Sequence, residues 1–238
     1  MFFTIALNGL KMTKKKQVTD TGMEGLEGAL TKTEQFIEDN QKWIVRVVTI
    51  VLAIVVLVIG VKRLYINPLE EEAHGQMFVA EQYFEIDSFD LALYGDGNYS
   101  GFLQIIDDYG ITKASNLANY YAGISFLKSG QYEDAIDYLK NFKSKDKMVA
   151  PIATGAIGDA LVELGDLEDG LGYYIKAAGI SDNNFTAPMY LMKAGLVYEN
   201  LGEFGKALDL YEGILENYPD YSRSNNIEKY ITRSKLQS

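Results

Sequence analysis

The sequence predicts an all-α protein, with one N-terminal transmembrane helix followed by a solenoid of paired helices that ends in a C-terminal capping helix. Three observations predict it. The run Trp43 to Val61 carries a single charge, Arg46, near its start. Beyond Pro68 the apolar residues recur at helical spacing. Three segments of that region also match one another with glycines in register.

Composition narrows the chemistry. The 238 residues are 47% hydrophobic and 23% charged, the balance of a chain that folds into one large domain or two small ones. With no cysteine, the chain has no disulfide, thiolate zinc site, thiol nucleophile, covalent haem or lipidated cysteine. A single histidine, His74, excludes every two-histidine metal motif.

The first element is the span itself, "WIVRVVTIVLAIVVLVIGV", close to the ~20 residues needed to cross a hydrocarbon core of about 30 Å. Its length, its start well inside the chain and the lack of a small-residue cleavage site predict an uncleaved anchor. Trp43 and Tyr65 suit the interfaces, and Arg46, Lys62 and Arg63 can reach the head groups. Lys11, Lys14, Lys15, Lys16, Lys32 and Lys42 precede the span, whereas after Lys62 and Arg63 no basic residue comes until Lys113. The expected layout is a cytoplasmic segment 1–42, a transmembrane helix 43–63 and an exported domain 69–238. Residues 1–66 carry net +3 and the remainder −14, which favours protein partners over nucleic acid or anionic lipid.

Before the span, "MFFTIALNGLK" resembles no structured element, and Met12 is an alternative start. Thr31 with Glu34 forms a capping-box pattern, predicting a short helix that runs into the membrane.

After Pro68 come the repeats. "AGISFLKSGQYEDAIDYLKNF" (122–142), "IGDALVELGDLEDGLGYYIKA" (157–177) and "AGLVYENLGEFGKALDLYEGI" (194–214) align Gly123, Gly158 and Gly195, then Gly130, Gly165 and Gly202. Phe126, Leu161 and Tyr198 keep the same phase, as do Tyr132, Leu167 and Phe204, and Ala135, Gly170 and Ala207. Over about residues 116–220 this pattern resembles the tetratricopeptide-repeat family, with Pro219 where that family closes a repeat. Gly170 replaces the usual alanine, and Lys147 and Asp182 stand where proline is common.

Two roles are expected of the glycines. Gly123, Gly158 and Gly195 let the second helix of each pair press close through Ala135, Gly170 or Ala207, whereas Gly130, Gly165 and Gly202 cap the first helix in a left-handed conformation. Ala80, Tyr83, Phe89 and Ala92 keep the spacing without glycine and predict a degenerate first repeat, displaced by the insertion "YGDGNYSGFLQIIDDYG". "SRSNNIEKYITRSKL" is expected as one final helix covering the last repeat.

No catalytic residue, metal site or cofactor is expected. Carboxylate pairs such as Asp134 with Asp137 suit a solvated helix face, and "GDGNYSG" lacks the lysine of a phosphate cradle. The tetratricopeptide resemblance implies instead a partner-binding groove lined by the first helices. It would use Tyr120, Ile124 and Lys128, then Asp159 and Glu163, then Met192, Glu199 and Asn200. The whole layout is similar to the ancillary-subunit family of the bacterial SecYEG translocon, the YfgM type, in a Bacteroidetes-like version. That resemblance implies a non-enzymatic tethered module beside the channel that passes exported polypeptides to periplasmic chaperones. The alternatives are a scaffold for another envelope complex and, more distantly, an enzyme.

Overall fold

Every described element is helical. The computed structural model describes residues 21–238, with side chains from Glu34 onward, so the alternative start at Met12 lies outside the described residues. The chain divides into two units at Ile59 and Gly60.

Helix α1 (Thr21–Val61) is unbroken. Thr31 therefore lies inside it rather than at a helix start, and the capping box expected there is not one. From Trp43 to Val61 large apolar side chains such as Val48, Leu52, Val56 and Ile59 are exposed all round the helix, which is long and apolar enough to cross a membrane.

Lys62–Ile66 form a π-helical turn in which the Asn67 N–H donates to the carbonyl of Lys62. The cause lies just beyond. Pro68 has no N–H, and its ring would strike the carbonyl of Leu64; widening the ladder by one residue relieves that clash. Helix α2 (Asn67–Glu85) thus continues the helical path through Pro68.

Four helical pairs follow: α2 with α3 (Phe89–Tyr94), α5 (Lys113–Lys128) with α6 (Tyr132–Asn141), α7 (Val149–Glu163) with α8 (Leu167–Ile180), and α9 (Thr186–Asn200) with α10 (Phe204–Asn217). Gly130, Gly165 and Gly202 have φ of +75°, +88° and +74°. One residue on, Gln131, Asp166 and Glu203 donate N–H bonds of 2.9 Å to the carbonyls of Phe126, Leu161 and Tyr198, the left-handed cap the spacing predicts. The first pair turns the same way with no glycine. Asp87 takes φ +57° and Ser88 N–H reaches the Tyr83 carbonyl at 2.9 Å, so this pair makes the same reversal with an acid that tolerates the left-handed region.

The insertion is structural. Asp96 accepts the amides of Asn98 and Tyr99 and the hydroxyl of Tyr83, and these bonds hold its carboxyl below the usual range. The loop delivers α4 (Phe102–Asp108), whose Phe102 and Ile105 are fully buried in the core shared with α2, α3 and α5.

Within each pair the matched glycine admits a large side chain. A Cβ on Gly123 would lie 2.5 Å from Leu139 Cγ, on Gly158 2.8 Å from the Tyr174 ring, and on Gly195 2.4 Å from the Tyr211 ring. The sequence pairs Gly195 with Ala207; the atoms nearest the glycine belong to Tyr211, one turn further along α10. Ala135 and Ala207 are fully buried. Gly170 suits its place, since a Cβ there would approach Val162 Cγ2 to 2.6 Å and the Gly158 carbonyl oxygen to 3.1 Å.

At the C-terminus the single expected helix is two. Helix α11 (Pro219–Asn225) stops at Asn226, which adopts φ +51°, and α12 (Ile227–Gln237) then buries Ile227 and Ile231 against α10. The break turns the apolar edge of α12 onto the last repeat, as a capping helix requires.

Candidate functional site

Helix α7 presents Gly155, Gly158 and Asp159 on neighbouring faces. Tyr190 of α9 lies over Gly155, where a Cβ would come within 1.9 Å of its ring, and Tyr174 of α8 lies over Gly158. The two rings stack with centroids 6.1 Å apart and planes 19° from parallel. Bare glycine backbone thus brings two tyrosines close beside the Asp159 carboxylate.

Three charge-assisted bonds converge there. Tyr174 donates its hydroxyl to Asp159 Oδ1 at 2.6 Å, and Lys193 donates Nζ to Oδ1 at 2.6 Å and Oδ2 at 2.8 Å. The same ammonium stands 5.6 Å from the centroids of Tyr174 and Tyr190, in cation–π range. Burial pushes both phenols well above their ordinary range, and the Asp159 charge adds to the effect.

Around this cluster opens a cleft of about 580 Å³. Leu127, Lys128 and Tyr132 of the α5–α6 pair form one side. Val162 and Glu163 of α7 continue it, and Leu196, Val197 and Asn200 of α9 form the other side. Three successive repeats therefore contribute. With Asp159 and Lys193 paired, Lys128 and Glu163 remain as exposed charges of opposite sign over apolar walls. Such a surface suits a peptide with alternating apolar and charged side chains.

Of the residues expected in the groove, Lys128, Asp159, Glu163 and Asn200 come together here. Tyr120 and Ile124 do not. Both pack on the core, with the Tyr120 ring 5.6 Å from Tyr121 and 5.3 Å from Phe142. Met192 and Glu199 lie on the stripe of α9 that faces the cap. Met192 belongs to the cluster of Tyr211, Ile214 and Ile227, and Glu199, with its side chain only 10% exposed, is held by Arg233 and by Ser234 Oγ at 3.0 Å. The physical reason is angular: one residue along a helix turns the side chain by about 100°, so Lys193 and Asn200 face the cleft while Met192 and Glu199 face away.

Lys193 is absent from the expected groove, although the sequence carries a signal for it. It is the one charge in the α9 run Thr186–Val197, and a lysine among apolar neighbours calls for a counter-charge. Elsewhere, His74 Nε2 sits 3.1 Å from Glu70 Oε1, and the same carboxylate accepts the amides of Lys113 and Ala114 at the start of α5. Among the described residues no cluster of three His, Cys, Asp or Glu is placed to hold a metal ion.

Comparison with known proteins agrees with this architecture. A tetratricopeptide-repeat family model matches residues 120–185 and 156–222. A TPR repeat-containing protein of Methanocaldococcus jannaschii is 31% identical over 147 residues, 60% of this chain, and the chain spans a quarter of that relative's length. Among solved structures, a Podospora anserina putative kinesin light chain with TPR-like repeats superposes with a TM-score of 0.55 at 11% identity, covering 71% of this chain and 87% of that one. The MamA protein gives 0.53 at 17% identity, covering 70% and 92%. The paired helices over residues 120–222 thus match a tetratricopeptide-repeat model in sequence and share the helical-repeat fold of these solved structures.

Proposed function

We propose that this protein is a membrane-anchored peptide-binding module whose cleft holds segments of client proteins at the membrane surface. The observation that carries the reading is the pairing, on one chain, of a helix whose apolar side chains are exposed and a three-repeat cleft with two exposed charges. Anchoring keeps the cleft in a thin layer beside the bilayer and raises its effective concentration at any membrane partner. The lysine distribution supports a cytoplasmic N-terminus and exported repeats. In that orientation the clients are newly exported chains. The layout's similarity to the ancillary translocon subunits supports a place beside the SecYEG channel, handing clients to periplasmic chaperones.

Affinity purification after mild detergent extraction tests this. Channel subunits co-purifying with the tagged chain is the expected result; enrichment of a different envelope complex without them would reject the translocon assignment and leave a scaffold. A phosphatase reporter fused after Ser238 is expected to be active, and an inactive fusion would put the repeats in the cytoplasm.

A further inference from the structure

One edge of the repeat array differs from the rest of the acidic domain. Ile111, Met148 and Phe185 each stand just before a first helix, α5, α7 and α9, and they lie 37 residues apart in both steps. All three are large, apolar and exposed, at 62%, 40% and 57%. Between the first two runs "KNFKSKDKM", in which Lys140, Lys143, Lys145 and Lys147 are all exposed. The one acid of that stretch, Asp146, is occupied with the amides of Met148 and Val149.

Hydrogen bonds stitch the edge together. Glu70, in the first turn of α2, accepts the amides that open α5. Asn116 of α5 exchanges two 2.9 Å bonds with the Lys143 backbone, and Asn183 Nδ2 reaches the Lys147 carbonyl at 3.3 Å. The start of α2, the starts of α5, α7 and α9 and the basic loop thus share one side of the array. Only five residues, Lys62–Ile66, separate Asn67 from the end of the apolar helix in sequence. They include Lys62 and Arg63.

We infer that this edge docks on an anionic bilayer surface, with the lysines of the 140–148 loop on lipid phosphates and Ile111, Met148 and Phe185 in the head-group layer. The inference rests on the reading of α1 as a membrane anchor. Three features argue for lipid as the occupant. The loop is basic in a domain of opposite net sign, the apolar row accompanies that charge, and the start of α2, on the same side of the array, follows the apolar helix within a few residues of sequence. Exposed acids lie on the neighbouring elements, Glu71 and Glu72 in α2, Asp107 and Asp108 in α4 and Asp182 just before α9, so the α6–α7 loop alone carries the attraction. Docked this way, the edge fixes the array on the bilayer.

The absence of native cysteine makes the test clean. The full chain carrying Met148→Cys, labelled with an environment-sensitive fluorophore, is reconstituted in vesicles of phosphatidylcholine alone or mixed with phosphatidylglycerol. Ser129→Cys, in the α5–α6 turn, is the control. In anionic vesicles the Met148 probe is expected to be shielded from a water-soluble quencher while the Ser129 probe stays accessible. Changing Lys143, Lys145 and Lys147 together to Glu lowers the docked fraction at least about tenfold, as does salt near 1 M, where the screening length falls to about 3 Å. A chain that floats with the vesicles yet keeps its Met148 probe equally accessible in both compositions overturns the docking but not the anchor. A chain that fails to float overturns the anchor and the docking with it. Shielding that appears in detergent and grows with protein concentration assigns the edge to a second copy and overturns lipid docking.

Discussion

Lys193 of α9 holds its ammonium 2.6 and 2.8 Å from the two oxygens of Asp159 on α7, joining successive repeats at the base of the cleft. The side chains are 36% and 30% exposed, between a surface pair and a buried one. The pair is unequal, because Asp159 also accepts the Tyr174 hydroxyl. Removing the carboxylate strands two donors; removing the lysine strands one acceptor that keeps its tyrosine. Asp159→Ala is therefore expected to destabilise by about 2–3 kcal/mol and Lys193→Met by about 1 kcal/mol in urea denaturation. Equal losses would mean that Tyr174 contributes nothing to the site.

The cleft assignment has its own test. A photo-crosslinking residue placed at Lys128, Glu163 or Asn200 is expected to capture client chains in cells, and one at Asp209, exposed on α10, is not. Capture at Asp209 alone would move the binding surface off the cleft.

The parts of the fold that were legible in the sequence are those where chemistry permits few residues. A left-handed turn between paired helices selects glycine, so Gly130, Gly165 and Gly202 mark three reversals in the sequence itself. Asp87 shows the limit: an acid fills the same conformation and hides the signal. The long apolar helix was equally plain, because so sustained a run of aliphatic residues suits one continuous helix. The groove was legible only by repeat and not by residue. Periodicity places a helix, but Lys193 and Met192 are neighbours in sequence and face different partners once the capping helix occupies one stripe. The break at Asn226 also lay in the sequence, within Asn225–Asn226, since asparagine is enriched at positive φ. A continuous amphipathic pattern on either side of it masked the turn.

Glycine substitutions separate close packing from open helix surface. Gly155→Ala and Gly195→Ala each drive a methyl into a tyrosine ring, and the loss, about 2–3 kcal/mol, exceeds the gain of up to about 1 kcal/mol in helix propensity. Gly172 and Gly213 also lie inside helices, α8 and α10, but nothing stands within 4 Å of a Cβ at either position. Gly172→Ala and Gly213→Ala are expected to raise the melting temperature by a few degrees, about what 1 kcal/mol gives in a domain of this size. If all four variants move stability in the same direction, the close approach of Tyr190 and Tyr211 is not what keeps glycine at those sites.

Alkaline pH should dismantle the array at its tyrosines. Burial raises the pKa of Tyr174, Tyr190 and Tyr211, with nearby carboxylates adding to the shift: Asp159 for the first two and Glu199 for Tyr211. In the unfolded chain the same phenols ionise near the ordinary value of about 10. Below that pH both states are neutral and the packing contribution is intact. Above it the unfolded state releases protons that the folded state retains, so stability falls with each further rise in pH. Helicity is expected to hold to about pH 10 and then to be lost cooperatively, with most of the tyrosinate absorbance appearing in the same transition. Tyr174→Phe removes one such proton along with its bond to Asp159, so it lowers stability at neutral pH and shifts the alkaline midpoint upward relative to that new baseline. Ionisation of all seventeen tyrosines while the helices persist would show that these rings sit in contact with water.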